Sequence, residues 1–404
     1  MKKVVLFLVL VGMAAGLAQA QGVQVRKVFE HKVDNYVTSL SVDTLHGKPI
    51  VTADMAYSYK IGGVGSRIAV FDSTGEILTL PGGGSGFPGW ARRVSKNGRY
   101  FASRQAGGVW KTMDTKGKVL LSFSQSVTQV LQVSEDGTRW LAVRRHPRVS
   151  GGRDAPRVAN VEDDATDTLV LFNGKGQVLA AIPAPGVELA EFSPKDNWLF
   201  LRYKNISGKG YPLACYDQNG KRRWYKEDNV SLPLFRADSL NNLCVLEMRG
   251  ESYGLAFYSS SGKEEAFVQL VGPPDRIQFA ACELELTWDG KYAVFNGDRL
   301  GLFYVQKSPS KILWKWKQDL APGAQQLISG MAVSANGEYI VADVRDISHR
   351  EGHFYLFNRE GKITWKNPDV QKSLPFLSFC FNRYFVAFTG NVDDHAVTLF
   401  EVKP

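Results

Sequence analysis

Residues 327–366 read LISGMAVSANGEYIVADVRDISHREGHFYLFNREGKITWK. Two short patterns divide this stretch. Ser334-Ala-Asn336-Gly337-Glu-Tyr339 stands between two apolar runs. Asn-Gly in that setting is a strong hairpin signal, because both residues tolerate positive φ. A later apolar run ends in Asn358-Arg-Glu-Gly361. An Asn opening a type I turn, with Gly three residues on in the left-handed region, makes a second short hairpin. Lys362-Ile-Thr-Trp365 then begins another strand. The order strand, tight turn, strand, loop, strand, tight turn, strand is a four-stranded meander, which is one propeller blade.

Both patterns recur along the chain. The first returns as Ser95-Lys-Asn97-Gly98-Arg-Tyr100, as Ser134-Glu-Asp136-Gly137 with Trp140 one place later, and as Thr287-Trp-Asp289-Gly290-Lys-Tyr292. Looser copies are Ser193-Pro-Lys-Asp196-Asn197-Trp198, Ser239-Leu-Asn241-Asn242 and Asn382-Arg-Tyr384. The second returns as Asp72-Ser-Thr-Gly75, Asp114-Thr-Lys-Gly117, Asn173-Gly-Lys-Gly176, Asp217-Gln-Asn-Gly220 and Ser259-Ser-Ser-Gly262. A degenerate copy, Ser310-Lys311-Ile-Leu-Trp314, keeps the strand without the glycine. Gly75 to Gly361 is six steps of about 48 residues, a period that signals a repeat architecture. At that period, residues 21–404 hold eight units, and the first pattern, with His46-Gly47 as its opening copy, also counts eight. The expected fold is all-β: a single propeller of eight four-stranded blades over residues 21–404, with seven as the alternative if a loose unit is only a loop. No segment carries the 3.6-residue periodicity of a helical domain. The last unit stops at its third strand, Ala396 to Phe400, while Val23 to Val33 supply a spare one. Pairing of the N-terminal strand with the last blade would close the ring and remove two open edges.

The units resemble the WD40-like and PQQ-like repeats of bacterial β-propellers, where similar strand-turn-Gly-Lys-x-x-Trp elements recur. Gly220-Lys221-Arg-Arg-Trp224 and Gly361-Lys362-Ile-Thr-Trp365 carry the likeness. It covers nearly all of the chain after residue 20 and is a fold-level signal, which carries function poorly. Eight blades in an exported chain are similar to the periplasmic PQQ-like propellers that act as assembly scaffolds. Those are commonly lipoproteins, and no Cys stands near the expected cleavage site here. The docking repeat of PQQ dehydrogenases is matched well around Asp217 to Trp224 and partly around Asn358 to Trp365. Their adjacent-Cys pair has no counterpart.

The N-terminus reads as an export signal. Met1-Lys2-Lys3 precedes an apolar stretch from Val4 to Ala18, and Ala18-Gln19-Ala20 is a small-x-small cleavage pattern. Residues 1–20 are therefore expected to be a signal peptide, and a periplasmic or secreted location follows. No later apolar run approaches the roughly 20 residues that a membrane-crossing helix needs. Of the 404 residues, 44% are hydrophobic and 22% charged, which excludes a disordered, collagen-like or disulfide-dense chain. The 9 Trp, 15 Tyr and 23 Phe suit a β-rich core. The net charge of +9, or +7 without Lys2 and Lys3, is spread along the chain. It favours solubility and weak attraction to acidic surfaces. Nucleic acid is not an expected partner of an exported protein, and a monomer is expected. Cys215, Cys244, Cys282 and Cys380 lie far apart in apolar, strand-like contexts. Export permits disulfides and four cysteines allow three pairings; buried free thiols are the alternative.

Both tight turns of a blade must lie on one rim, so the second-to-third-strand loops and inter-blade connections share the other. Variable loops on a rigid frame are where binding usually resides. The longest, from Arg144 to Thr168, carries Arg144, Arg145, His146, Arg148, Arg153 and Arg157, then Glu162, Asp163, Asp164 and Asp167. The basic half suits an anionic ligand or acidic surface, and the acidic half suits Ca²⁺. A solvated insertion whose halves pair with each other accounts for the same charges. His349-Arg-Glu-Gly-His353 in the seventh unit and Asp393-Asp394-His395 in the eighth should be neighbouring loops with metal-competent side chains. Their spacing is not His-Glu-x-x-His, and exposed loop histidines are the alternative. Apart from Ca²⁺, no cofactor is expected. Gly62-Gly63-Val-Gly65 and Gly82-Gly83-Gly84-Ser-Gly86 lead into strand or loop and read as connections. No Gly-x-Ser-x-Gly elbow occurs.

Two functions fit this organisation. One is a scaffold or binding protein that engages a protein, glycan or envelope component through the variable-loop rim. The alternative is a propeller enzyme of the quinone-dependent dehydrogenase, lactonase or glycosidase type, using the central pocket. An enzyme would converge several inward polar residues on the channel mouth, including carboxylates of shifted pKa. No such convergence is visible in the sequence, so binding is the favoured expectation and no catalytic residue is expected.

Overall fold

In the computed structural model the recurring turns take the backbone their residues demand. Gly98, Gly137, Gly290 and Gly337, which end the first pattern's turn, have φ of 75°, 68°, 67° and 71°. In the looser copies non-glycine residues turn left-handed, Asn197, Asn241 and Phe381 at 55°, 64° and 49°. The structure describes residues 23–403 apart from 34–36, 56–66, 82–91, 105–108, 124–126, 145–167, 184–186, 196, 204–210, 228–230, 274, 276, 278–281, 318–325, 347–350, 371–376 and 392–393. Residue 196 excepted, these fall in connections between second and third strands or between blades. The expected signal peptide lies outside the described residues.

The strands follow one another as eight antiparallel sheets of four. β1 (Gln24–Val33) precedes blade 1, which is β2 (Val37–Leu45), β3 (Lys48–Met55), β4 (Arg67–Asp72) and β5 (Gly75–Pro81). Blade 2 is β6 (Arg92–Val94), β7 (Tyr100–Arg104), β8 (Trp110–Asp114) and β9 (Val119–Ser122). Blade 3 is β10 (Val127–Val133), β11 (Arg139–Arg144), β12 (Thr168–Asn173) and β13 (Val178–Pro183). Blade 4 is β14 (Val187–Phe192), β15 (Leu199–Tyr203), β16 (Leu213–Tyr216) and β17 (Arg222–Lys226). Blade 5 is β18 (Ser231–Ala237), β19 (Leu243–Arg249), β20 (Ser252–Tyr258) and β21 (Glu264–Val271). Blade 6 is β22 (Glu283–Leu286), β23 (Tyr292–Asn296), β24 (Leu302–Gln306) and β25 (Lys311–Trp316). Blade 7 is β26 (Gln326–Val333), β27 (Tyr339–Asp346), β28 (Glu351–Asn358) and β29 (Ile363–Lys366). Blade 8 is β30 (Leu377–Cys380), β31 (Tyr384–Asn391) and β32 (Asp394–Lys403), with β1 as its fourth strand. Eight blades are present, so the loose units are blades and not loops. Asp238, one residue before the expected Ser239, opens the blade 5 turn: the Asn241 amide donates to its carbonyl at 3.3 Å.

Each middle strand is apolar on both faces because each face meets a different neighbour. Val294 and Tyr304 of blade 6 pack with Ile340, Ala342 and Phe357 of blade 7. The other face of blade 7, with Val341, Phe354 and Leu356, packs with Phe385, Ala387 and Phe400 of blade 8. Cys215, Cys244 and Cys282 are buried between blades, Cys215 and Cys244 as free thiols. Burial pushes the Cys215 and Cys244 thiols far up, which keeps them protonated and inert.

The second-pattern glycines do more than turn the chain. A Cβ at Gly262 would lie 2.8 Å from Cγ of Trp224 in the preceding blade, and one at Gly361 would lie 2.8 Å from Trp314. The Trp224 indole donates to the Ser260 carbonyl at 3.1 Å, and Trp314 to Arg359 at 2.9 Å. Each tryptophan is therefore a key held in the next blade's turn.

The ring closes as expected, with β1 paired along β32 from Gln24↔Lys403 to Val33↔His395. Phe29 and Val33 of β1 join Val37 and Leu40 of blade 1 and Val397 and Leu399 of β32 in one core cluster. Buried Glu401 lies between Arg26 of β1 and Arg383. Burial opposes its charge, but hydrogen bonds from both arginines hold its pKa below the usual carboxylate range.

Deleting residues 21–33 should open the ring and lower the melting temperature by at least about 10 °C, because two sheet edges and the Phe29 contacts are lost together. An unchanged calorimetric transition would show that β1 is dispensable. Gly47→Ala, at positive φ but with nothing within 4 Å of the new Cβ, should cost about 1 kcal/mol. Gly262→Ala must also displace Trp224 and should cost about 2–4 kcal/mol in urea titrations. Equal costs would rule out the keyed contact.

Candidate functional site

The first tight turn of a blade is a small rigid unit. Ser95, Ser134, Ser193 and Ser334 each accept a hydrogen bond through the hydroxyl from the amide five residues on, at 2.9–3.0 Å, and Thr287 does so at 3.1 Å. Ser95, Ser134, Thr287 and Ser334 also donate to the Asn or Asp two residues later. The residue after the opener is left to project over the ring axis: Lys96, Glu135, Pro194, Trp288 and Ala335. Backbone bonds tie adjacent turns together. Ser239 N donates to Trp288 O at 3.0 Å, Trp288 N to Ala335 O at 2.8 Å, and Ala335 N to Phe381 O at 2.7 Å.

These turns surround a cavity of about 450 Å³ to which all eight blades contribute. It is the mouth of the central channel, and it opens on the tight-turn rim, opposite the loops from which binding was expected. Its two sides differ. Blades 2 to 6 supply Lys96, Arg99, Glu135, Asp136 and Glu285, whereas blades 6 to 8 supply Trp288, Ala335, Phe379 and Phe381. Trp288 is 41% and Phe381 58% exposed, unusual for such large apolar side chains on one rim, and Leu240 of the next turn is 57% exposed.

A charge network underlies the polar side. Arg236 of β18 reaches Glu191 of β14 at 3.4 Å and Glu285 of β22 at 3.3 Å. Lys96 of blade 2 approaches Glu285 of blade 6 at 3.7 Å, so this pair spans the axis between opposite blades. Burial works against the Lys96 charge, yet Glu285 and Glu191 outweigh it and raise its pKa. Burial likewise opposes the Glu285 charge, and Lys96 and Arg236 reverse the effect and lower its pKa. Two carboxylates go the other way. Burial pushes Glu135 up to about 7, opposed by Lys96 and reinforced by Asp43 and Glu191. Burial and the Glu285 charge push Glu283 up to about 7 as well, and its Oε2 has no hydrogen-bond partner among the described residues. Arg99 donates to Asp43 at 3.0 Å and to the Thr44 carbonyl at 3.1 Å. The convergence of inward charges that the sequence did not display is therefore present in the fold.

The residues singled out in the sequence fare differently. Arg144 ends β11, opposite Val127 and Thr168. Arg145, His146, Arg148, Arg153, Arg157, Glu162, Asp163, Asp164 and Asp167 lie outside the described residues, as does His349. His353 and His395 are in strands and not in loops, because the ladders of blades 7 and 8 extend through Val344↔His353 and Gly390↔His395. His353 donates from Nδ1 to the Asn367 carbonyl at 3.1 Å, and buried His395 stacks on Phe388 at 5.0 Å. Among the described residues no three His, Cys, Asp or Glu side chains group as metal ligands.

The mouth residues were missed in the sequence, though a signal exists there. Aligning the repeats on the turn opener puts Lys96, Glu135 and Trp288 one residue after it, and Glu191, Arg236 and Glu285 two residues before Ser193, Asp238 and Thr287. Those two offsets face the axis.

No protein-family model and no curated protein matches the chain. Solved propellers do resemble it. BamB from Moraxella catarrhalis is 12% identical with a TM-score of 0.53, covering 93% of this chain and 97% of that one. The C-terminal WD40 domain of Sif2 is 11% identical with a TM-score of 0.55 over the same shares of each chain. The computationally designed Ika8 protein is 14% identical with a TM-score of 0.57, covering 91% of this chain and 97% of its own. Identities this low establish the fold alone: an eight-bladed β-propeller of the general WD40 and PQQ-like kind.

Two stability measurements test the network. Arg236→Met leaves Glu191 and Glu285 facing each other and should cost about 3 kcal/mol near pH 8, less near pH 5 where a carboxylate can take up a proton. A pH-independent loss would mean that Arg236 acts through packing. For Glu283 the sign is opposite. A pKa raised from 4.5 to about 7 gives stability below 4.5 that disappears as pH rises through 7. Glu283→Gln should therefore exceed the parent by about 1–2 kcal/mol near pH 8 and match it near pH 4. A variant less stable at pH 8 would contradict the burial.

Proposed function

We propose that the protein is a binding or scaffold propeller that engages a polypeptide partner at the tight-turn mouth of its channel. The supporting observation is the two-sided mouth, with exposed Trp288 and Phe381 flanking half-buried Ala335 and facing a charged wall on hydrogen-bonded turns. Exposed aromatic groups beside a polar wall are what protein recognition uses, and preformed turns lower the ordering cost of binding. The signal-like residues 1–20 support export, which makes an envelope or secreted protein the natural partner; a glycan or other envelope component is the alternative ligand. The basic arm from Arg144 to Arg157, in a loop of the other rim, is the contact region under the alternative placement.

The enzyme reading has one observation in its favour. Glu135 is raised to about 7 while Glu285, near the same Lys96, is lowered, and carboxylates pushed apart in pKa are how acid–base pairs are built. The remaining charges of the network are engaged with one another, which suits a structural role better than a reactive one.

Site-resolved photo-cross-linking separates the rims. With a benzophenone side chain at Leu240 or Phe381, adducts with envelope-fraction proteins are expected. At Glu251, in the turn between β19 and β20 on the other rim, none are expected. Adducts only at Glu251 would move the binding surface to the variable loops. Turnover of chromogenic glycosides or lactones that disappears in Glu135→Gln would establish the enzyme instead.

A further inference from the structure

Building on the reading of the mouth as a polypeptide site, we propose that it takes a segment in which a Lys or Arg side chain neighbours an aromatic one, with the basic group against Glu135 and the aromatic group against Trp288 and Phe381.

The charge arrangement selects the sign of the ligand. Among the described residues, Asp43, Glu135, Asp136, Glu191 and Glu285 meet Lys96, Arg99 and Arg236 around the mouth. Each cation is already engaged: Arg236 between Glu191 and Glu285, Arg99 on Asp43, and Lys96 against Glu285. Among the described residues no ion pair reaches Glu135. Its surroundings are Lys96 and Arg99 from blade 2, Asp43 from blade 1, Glu191 from blade 4 and Asp136 beside it, and they leave its charge under-compensated. A guanidinium or ammonium would supply the missing partner, and an acidic segment would meet Asp43, Glu135 and Glu285 together. The whole chain is basic at +9, so its general attraction is for acidic surfaces; at the mouth the local sign is reversed. A neutral sugar would satisfy neither the carboxylate nor the aromatic arc as fully.

Geometry selects the rest. A cavity of about 450 Å³ admits side chains and not a folded domain. Lys96 and Glu285 cross the axis and form a polar floor. The apolar arc of blades 6 to 8 then borders the charged wall, so a basic and an aromatic side chain on adjacent residues reach both at once.

The test uses the full chain from Gln21 and the labelled probe acetyl-Gly-Trp-Arg-Gly-amide, with citrulline and Glu replacing its Arg, and Gly replacing its Trp, in three controls. Near pH 8 the Arg probe should bind at least about 5-fold more tightly than the citrulline probe. Glu135→Gln should shrink that preference to within about 2-fold, and lowering the pH to 5.5 should shrink it in the parent as Glu135 takes up a proton. Trp288→Ala should weaken the Arg and citrulline probes alike. A cooperative thermal transition no lower than the parent's certifies the fold of each variant. Equal Arg and citrulline affinities, tighter binding of the Glu probe, or no binding of any probe at about 1 mM would overturn the proposal. Weakening by Trp288→Ala without charge preference overturns the basic ligand alone and leaves the rim reading intact. Cross-linking at Leu240 and Phe381 decides the rim independently.

Discussion

A propeller has no core until its blades are pressed together, and here that pressing depends on glycines that meet the preceding blade. A Cβ on Gly98 would fall 2.8 Å from Cβ of Ser41, and one on Gly137 would fall 2.6 Å from the Tyr100 ring. Gly337 lies as close to the Tyr304 hydroxyl, which donates to the Gly337 carbonyl at 2.7 Å. The outer turns repeat the device where Gly262 and Gly361 cover Trp224 and Trp314. Positive φ alone would favour glycine at these turns, and the missing Cβ is required a second time by the neighbour. The same residue therefore sets the hairpin within a blade and the distance between blades.

That spacing makes the mouth possible. With turns linked from Ser239 through Trp288 and Ala335 to Phe381, the rim is rigid before any ligand arrives. The residues left facing the axis have no neighbouring blade to pack against. Charged groups can stand there only if they answer one another, and Arg236, Glu191, Glu285 and Lys96 do so across four blades. Glu135 and Glu283 are the carboxylates that the network leaves under-compensated. Closure by β1 underlies all of this, because an open ring would have no defined axis.

Much of the fold was legible because a repeat reports itself many times. Asn336-Gly337 or Asn358 to Gly361 taken singly is a hairpin; eight spaced copies are a ring. Even imperfect copies were informative, since Asn197, Asn241 and Phe381 supply left-handed backbone in turns that lack the glycine. The site was less legible. Arginines 144 to 157 and the histidines stand out as clusters along the chain, whereas Lys96 and Glu285 are far apart in sequence and meet only because their blades are opposite. The turns show their structural role in the sequence, and that role is real. A turn also has one outward position, and on this rim the outward position overlooks the channel.

By itself the sequence determined the strands, the tight turns, a ring of eight units or seven, and the use of the first strand to complete the last blade. Each follows from local backbone preference and from a period that only a ring absorbs. The tertiary structure alone decided which residues share the axis, which carboxylates lose their counter-charge, and which rim carries the aromatic arc. Those depend on distances between blades, and a distance across a closed ring is not a property of any segment of chain.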